Sequence, residues 1–342
     1  MKALVTFLFV VFLGFSIRAQ DVQFSQFYAA PIYLNPAFAG SAEMTRFGVN
    51  YRNQWPGLDH SLNAYSAYFD HYFFGTNSGV ALIVNGMDET MSGLSTSEIG
   101  LAYSYRLRLG LDSFLRFGMQ GSFVSRDANL NHMVFGSQID PDSGIIGDHS
   151  GESLVLDMRH RYADFHFGML YNNQWGWLGF SAHHVSQPNI SFIDDQIAQW
   201  PMKLSLHGGM KVDLSEGALS SLMNTQNTRE IVFAFNYKHQ DVFNQLDLGM
   251  QVNLQPLVIG AWYRGLPTKS TALPNTESII GLVGFSLQSG IDIGYSYDFT
   301  LSQLGQANTG GAHEISMRYS FLLGKNNGGD GRRPSSMPCF KY

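Results

Sequence analysis

A strict alternation of apolar and polar side chains is the feature that most limits how this chain can fold. From Thr45 onward it recurs in segments of eight to fourteen residues. The clearest case is 290–299, where apolar side chains at the odd positions alternate with Asp292, Gly294, Ser296 and Asp298. A period of two places successive side chains on opposite faces of a strand. These segments therefore predict β-strands with one apolar and one polar face.

The alternation predicts about fourteen strands along the chain. An even number is typical of bacterial outer-membrane barrels. The predicted fold is therefore all-β, a closed antiparallel transmembrane β-barrel. The predicted strands are 45–52, 61–73, 78–86, 95–108, 113–125, 161–172, 175–184, 203–213, 229–239, 243–254, 256–265, 276–287, 290–299 and 312–322.

Composition favours a membrane-embedded barrel over a soluble sheet protein. Charged residues make up 14% of the chain, against roughly 25% in soluble domains. Aromatic residues also reach 14%. Beyond the N-terminal stretch, no segment has the ~18 or more unbroken apolar residues of a transmembrane helix. The formal net charge of −6 does not match the basic stripe of a nucleic-acid-binding protein.

Each face of the predicted strands suits a different environment. Because lipid offers no hydrogen bonds to the backbone, the sheet must close on itself, with its apolar, aromatic-rich face toward lipid. The opposite face carries charges of both signs, which predicts a lumen held by hydrogen bonds and ion pairs. The predicted lumenal charges are Arg106, Arg116, His166, Lys203, Lys211, Lys238, Asp247, Asp292, Asp298, Glu314 and Arg318.

Connection lengths sort by the end of the barrel on which they lie. Short turns are predicted near 75–77, Gly110, 173–174, Gln255 and 288–289, and long connections at 126–160, 185–202, 266–275 and 300–311. The long connection 214–228 and the tight one near Gln240 break this trend. Short periplasmic turns and long outer loops are typical of outer-membrane barrels, whereas the loops of a soluble β-sandwich would not sort in this way. The first strand is then predicted to run outward, with both termini in the periplasm.

The first nineteen residues have the pattern of a signal peptide. Met1-Lys2 precedes a nearly continuous apolar stretch from Ala3 to Ile17, and Ala19 offers a small residue for cleavage. The predicted organisation is a signal peptide at 1–19, an N-terminal periplasmic or plug segment at 20–44, a barrel at 45–322 and a flexible periplasmic tail at 323–342. The lone Cys339 predicts that no disulfide forms within the chain.

The segment before the first strand carries the most specific string of the sequence. It reads QFSQFY at 23–28 and YLNPAFAG at 33–40. The Asn35-Pro36 pair favours a turn with Asn35 extended. Small residues up to Gly40 permit close backbone packing. Aromatic side chains provide anchors, so the segment is predicted to tuck into the lumen or the inner rim. The candidate plug residues are Phe24, Gln26, Tyr28, Asn35, Pro36, Phe38 and Gly40.

The run FSQFYAAPIYLNPAFAG, followed by YRNQWPG at 51–57, resembles the PorP/SprF family of Bacteroidota. This resemblance implies a non-enzymatic outer-membrane barrel associated with type IX secretion and gliding motility. It also implies two partners, the C-terminal targeting domain of a cargo adhesin and the periplasmic ring of the secretion machine. The family supplies no catalytic residues or cofactor to carry over.

Several further residues are candidates for contact with a partner. Trp55 belongs to the second matching stretch, while Asp148 and Trp200 lie in the long outer connections that would hold cargo. Arg332 and Arg333 follow a Gly/Asn linker in the tail. A competing hypothesis is a passive channel or a transporter of hydrophobic solutes, since a barrel with an N-terminal segment inside it describes that class as well.

Catalytic and metal-binding motifs are weak in this sequence. Asp140 to Gly144 has spacing that favours a turn over a calcium loop. His183 and His184 are adjacent, so on a strand their side chains would point to opposite faces and could not chelate one ion together. They are predicted to be rim residues. The sequence has no glycine-rich phosphate loop and no HExxH string, so neither an enzyme nor a metal site is predicted.

Overall fold

The computed structural model describes residues 21–58, 61–90, 92–129, 157–192, 196–214, 229–266, 276–302 and 305–323. Several predictions lie outside these residues: the signal peptide, the turn at 140–144, Asp148, Arg332, Arg333 and Cys339. No helix within the described part of the chain is long and apolar enough to cross a membrane.

The described residues form fourteen antiparallel strands that close into one barrel, as the alternation predicts. Each strand pairs with its neighbours in sequence. The first strand pairs with the last, from Thr45 opposite Phe321 to Gln54 opposite Ala312. The strands are β1 Thr45–Gln54, β2 Leu62–Phe73, β3 Ser78–Glu89, β4 Leu94–Arg108, β5 Phe114–Asn129, β6 Asp157–Asn172, β7 Gly176–His183, β8 Lys203–Asp213, β9 Arg229–Gln240, β10 Phe243–Leu254, β11 Leu257–Gly265, β12 Thr276–Ser286, β13 Ile291–Thr300 and β14 Ala312–Phe321.

The two faces of the sheet are sorted as the pattern predicts. Leu101 and Met119 project outward and are more than 60% exposed, which suits an apolar surface against lipid. Arg116, Asp247 and Glu314 are almost completely buried in the lumen. Because a buried charge is costly without a partner, the lumen needs the mixed signs that the sequence supplies.

One hairpin is longer than predicted. Strands β5 and β6 continue to pair beyond Ser125, ending with Asn129 opposite Asp157, so part of the predicted loop 126–160 is sheet. Charged side chains such as Arg126, Asp127 and Arg159 obscure the alternation there. The pairing extends the barrel wall further on this side.

The N-terminal segment runs through the lumen from one end to the other. One end of the barrel carries short turns such as 74–77 and is called the short-turn end. The last part of the segment lies there, where β1 begins at Thr45. The amide of Gly40 donates to Asp70 near the end of β2. The opposite end carries long connections such as that between His183 and Lys203 and is called the long-loop end. The first part of the segment lies there, where Asp21 contacts Lys203 and Gln240. The prediction that both termini lie on one side is therefore wrong for the described residues, because residue 21 and Phe321 lie at opposite ends of the barrel.

A hydrophobic core fills the lumen toward the short-turn end. The one-turn helix Pro31–Leu34 and the 3-10 helix Pro36–Phe38 pack there against apolar lumenal side chains. These side chains are Ile83, Ala102, Leu170, Trp177, Val232, Val258, Trp262 and Ile280. The barrel is therefore a packed body on this side, and the N-terminal segment forms part of its core.

Candidate functional site

Asn35 fastens the N-terminal segment to the barrel wall. Its Nδ2 donates to the carbonyl oxygens of Met169 on β6 and Phe180 on β7, at 2.9 and 3.1 Å, and lies 3.1 Å from Nε2 of His207. Its Oδ1 accepts from the amide of Ala37 at 2.8 Å and caps the 3-10 helix. A single buried side chain thus shapes the Asn-Pro turn and attaches it to two strands.

Glycines of the wall form a notch that receives the segment. A Cβ added to Gly118 on β5 would lie 2.2 Å from the amide nitrogen of Ala37, and one added to Gly168 would lie 1.9 Å from Oδ1 of Asn35. A Cβ on Gly79 would lie 2.1 Å from the Ala39 carbonyl oxygen. Contacts this short admit no side chain, so the fit of the turn depends on bare backbone on three strands.

Aromatic side chains of the segment pack on tryptophans of the wall. Tyr28 stacks on Trp262 with ring centroids 5.6 Å apart, and Phe27 meets the same ring edge-on at 5.2 Å. Phe38 meets Trp177 edge-on at 5.5 Å. Such pairs add to the free energy gained from burying the rings, so the aromatic residues hold the segment inside the lumen, one of the two positions predicted for it.

A polar network joins the segment to the last strand. The amides of Ser25 and Gln26 donate to the two carboxylate oxygens of Glu314, at 2.6 and 2.9 Å. Arg52 pairs with Glu314 at 3.4 Å and with Asp298 at 2.8 Å. The side chains concerned are buried. The predicted lumen of paired, mixed charges is confirmed here, and the N-terminal backbone takes part in it.

A second ion pair holds the segment at the short-turn end. Nε and Nη2 of Arg46 donate to the two oxygens of Asp70, at 2.9 and 2.7 Å. Nη2 also donates to the Phe38 carbonyl at 3.1 Å, and Asp70 accepts the Gly40 amide. A two-pronged guanidinium–carboxylate contact is a strong charge-assisted pair, and here it fixes the point where the segment enters β1.

Asp21 fastens the other end of the segment beneath the long loops. Its carboxylate accepts from Lys203 Nζ at 2.5 Å, Trp200 Nε1 at 2.9 Å and Gln240 Nε2 at 3.0 Å. Nε2 of His184 lies 2.9 Å from Oδ2. Burial alone would raise the pKa of Asp21, but the charges of His184 and Lys203 outweigh it and hold the pKa well below its usual value. Asp21 is thus an ionised anchor.

His183 and His184 both face the lumen, contrary to the prediction that they lie on the rim with opposite directions. His184 follows the end of β7 and has a φ of +55°, so the chain bends there and the strand alternation stops. His183 contacts the Leu34 carbonyl at 3.1 Å, while Nδ1 of His184 contacts Asp164. Burial would lower the pKa of His184, but Asp21 and Asp164 raise it to about 9. Nothing in the local sequence signals this left-handed residue.

A cavity of about 430 Å³ lies beside the segment at the long-loop end. The segment lines it with apolar side chains such as Phe24, Phe27 and Leu34, and the wall adds Lys203 and Asn236. A site with apolar walls and a few polar groups is typical of ligand pockets. This cavity has no signal in the sequence, because its lining comes from segments far apart in the chain.

The structure brings most of the predicted site residues together. Those of the N-terminal segment are buried in the lumen: Phe24, Gln26, Tyr28, Asn35, Pro36, Phe38 and Gly40. Trp200 joins them by binding Asp21, and since only 5% of it is exposed, it does not offer the outer surface contact predicted for it. Trp55 lies apart, in the turn after β1, where its amide donates to the Gly311 carbonyl.

Substituting Asn35 by alanine is expected to lower the free energy of unfolding by about 3 kcal/mol, because buried hydrogen bonds are lost and their partners stay buried. Asn35→Asp should cost at least as much, since it keeps the acceptor for Ala37 but places a carboxylate against two carbonyl oxygens. Unfolding in urea, followed by tryptophan fluorescence in detergent, measures both changes. Alanine at the exposed Asn244 is the control, and a loss there equal to that of Asn35→Ala would contradict the assignment.

Several solved structures align with most of the chain at low sequence identity. The monoaromatic hydrocarbon channel CymD aligns at a TM-score of 0.49 with 10% identity, covering 86% of this chain and 93% of that one. The Pseudomonas putida toluene transporter TodX aligns at 0.47 with 8% identity, covering 85% and 93%. A Pseudomonas aeruginosa FadL homologue aligns at 0.45 with 12% identity, covering 86% and 94%. A search of the curated proteins finds no significant match.

One protein-family model matches nearly the whole chain. A model of the type IX secretion system membrane protein PorP/SprF matches residues 16–319. The match includes both the lumenal segment and the barrel wall that holds it. An outer-membrane location fits this family and the closed barrel. The chain therefore belongs to the PorP/SprF family of type IX secretion system membrane proteins, as its N-terminal string predicts.

Proposed function

We propose that this protein is a non-enzymatic accessory of type IX secretion that docks cargo at the cell surface. The cargo would be a secreted adhesin, bound through its C-terminal targeting domain. The barrel would also link that cargo to the periplasmic secretion and gliding machinery. Membership of the PorP/SprF family supports the general role.

The observation that carries the proposal is the asymmetry of the lumen. Toward the short-turn end, the N-terminal segment and the wall form a packed core, with Ile32, Ala37 and Leu170 completely buried. Toward the long-loop end, the lumen keeps a cavity of about 430 Å³. A conduit for solutes needs space from one end to the other. A barrel filled at one end and hollow at the other is better suited to hold a partner.

The chemistry of the cavity favours a segment of polypeptide as its occupant. Nδ2 of Asn236 is buried and has no hydrogen-bond partner among the described residues, so it can donate to a carbonyl oxygen. Lys203 and Lys238 also line the cavity, but each is paired within the barrel, with Asp21 and Asp247 respectively. A cargo segment with an apolar side chain next to a carbonyl group would cover the apolar wall and give Asn236 an acceptor.

The proposed orientation places this cavity at the cell surface. The turns at 74–77 and 255–256 and that between Ser286 and Ile291 lie at the short-turn end, which is the periplasmic end in outer-membrane barrels. The cavity would then face the side on which secreted cargo emerges, and the packed end would face the secretion ring.

A larger side chain in the cavity should prevent cargo binding. Leu266 lines it at the end of β11, and Leu266→Trp is expected to lower cargo recovery at least about tenfold, since blocking a central pocket removes a dominant part of binding. The measurement is co-purification of the tagged protein from the native outer membrane in mild detergent, with mass spectrometry. Leu111→Trp, at an 83% exposed position on the short-turn end, is the matched control and should retain cargo.

Other outcomes would count against the proposal. Recovery of the wild-type barrel with neither an adhesin nor secretion-ring proteins would contradict a docking role. Full cargo recovery with Leu266→Trp would place docking outside the cavity. Solute-dependent conductance of the wild-type protein in a planar bilayer would instead favour the channel hypothesis.

A further inference from the structure

Three potential metal ligands converge inside the lumen near the long-loop end. Asp164 and His166 are two positions apart on β6, so both point inward. His184 reaches them from the bend after β7. One ligand atom from each side chain lies within 4.8 Å of those of the other two. Two imidazoles and a carboxylate form a donor set suited to a borderline-soft divalent ion.

Two of these side chains are already oriented by neighbouring groups. Oδ1 of Asp164 accepts from the Phe165 amide at 2.8 Å and from Ser186 Oγ at 3.2 Å, which leaves Oδ2 to face His184. His184 directs Nδ1 to Asp164 and Nε2 to Oδ2 of Asp21 at 2.9 Å. A histidine that ligates through one nitrogen while a carboxylate accepts from the other is a recurrent arrangement at metal centres.

His166 provides an independent indication that a ligand is bound here. Only 5% of the residue is exposed, and among the described residues its Nε2 makes no hydrogen bond. The nearest carboxylate oxygens are Oε1 of Glu98 at 3.4 Å and Oδ2 of Asp164 at 3.8 Å. A tetrahedral Zn²⁺ holds its ligand atoms roughly 3.4 Å apart, given bonds of about 2.1 Å. The spacing around Nε2 therefore matches that of ligands of one ion, whereas the direct contact between His184 and Asp164 must open to admit it.

We infer that Asp164, His166 and His184 bind a divalent transition-metal ion, with Zn²⁺ as the best match and Glu98 as the fourth ligand. Glu98 is held in place by Asn85 at 2.9 Å and Gln120 at 3.1 Å. Two nitrogens and two carboxylate oxygens favour Zn²⁺ over Mg²⁺ or Ca²⁺, which prefer oxygen ligands alone.

Binding the ion requires a defined movement of protons. Zn²⁺ replaces the proton between Nδ1 of His184 and Asp164, and this proton is released to solvent. On His166 the ring proton moves to Nδ1, so the contact of Nδ1 with the His184 amide, 3.3 Å long, is given up. That bond is weak beside four metal–ligand bonds.

The ion would join three parts of the molecule. It connects β4 and β6 of the wall to the bend after β7. Through His184 it also reaches Asp21, which anchors the N-terminal segment together with Lys203. Zinc would thus hold the start of the segment in the lumen, and its removal should loosen that end first.

Zinc titration of the full-length protein tests the inference. The detergent-solubilised protein is stripped with a chelator, dialysed, and titrated with Zn²⁺ by calorimetry, and metal content is measured by mass spectrometry. One Zn²⁺ per chain is expected, with Co²⁺ giving the visible absorption of a tetrahedral site. His166→Gln should weaken binding at least about 100-fold, and Asp21→Asn, which keeps every ligand, about 10- to 100-fold.

The control is His313→Gln, since His313 is exposed and lies next to Tyr295 on the outer face. It should bind Zn²⁺ as the wild type does. Circular dichroism confirms that each variant keeps its sheet content. Wild-type protein that takes up no Zn²⁺, or Zn²⁺ affinity unchanged in His166→Gln, would overturn the inference. Equal affinity for Mg²⁺ would also overturn it.

Discussion

Replacing Arg46 by methionine is expected to lower the free energy of unfolding by about 3–5 kcal/mol, the cost of breaking a buried ion pair from one side. Arg46 and Asp70 are 4% and 0% exposed, and both oxygens of Asp70 bind the guanidinium. Methionine fills much of the space but leaves the carboxylate in the lumen with the Gly40 amide as its remaining donor among the described residues. The N-terminal segment would also lose the bond from Arg46 to Phe38.

An exposed pair supplies the matched control. Arg159 contacts Asp127 at the long-loop end, and its side chain is 60% exposed. Arg159→Met should therefore change the free energy of unfolding by less than about 1 kcal/mol. Urea unfolding in detergent measures both variants. Equal losses for Arg46→Met and Arg159→Met would contradict the view that the lumenal pair is structural.

Valine at Gly118 should expel the N-terminal segment from its notch. The first carbon of the new side chain would lie 2.2 Å from the Ala37 amide nitrogen and 2.5 Å from its Cα, so the backbone of one partner must move. Overpacking of this kind costs about 1–3 kcal/mol or more. We expect the wall to hold, because β5 is paired along both edges, and the segment to shift.

Two measurements follow displacement of the segment. Chymotrypsin should cut it in Gly118→Val at Phe27 or Tyr28, which are buried in the native lumen, and conductance across a planar bilayer should rise. Gly121→Val is the control, because Gly121 faces lipid and a Cβ there would touch Phe165 at an ordinary 3.6 Å. If Gly118→Val resists chymotrypsin as the wild type does, the notch does not hold the segment.

The strands were predictable because their signal is local. Alternation over ten residues gave the ends of β8 and β10 without error, and it assigned charges such as Asp247 and Arg318 to the lumen. The aromatic string before Thr45 predicted a segment in the lumen or at the inner rim, and the structure places it in the lumen.

The contacts that fasten the segment were not predictable. Asn35 binds carbonyls 134 and 145 positions away, and Ser25 binds Glu314 across 289 positions; nothing near either residue marks its partner. His184 faces the lumen because its own φ is positive. Its side chain therefore points to the face opposite to the one that alternation predicts. The long-loop position of Asp21 follows from four contacts that meet only when the barrel has closed.

The bonds from Ser25 and Gln26 to Glu314 have a consequence for biogenesis. These residues precede every strand of the described chain, whereas Glu314 lies on the last of those strands, β14. The barrel cannot close until both β1 and β14 have been synthesised, because these two strands pair with each other. The N-terminal segment would then act as a template on which the strands assemble. The pairing of β1 with β14 would form last and close the barrel.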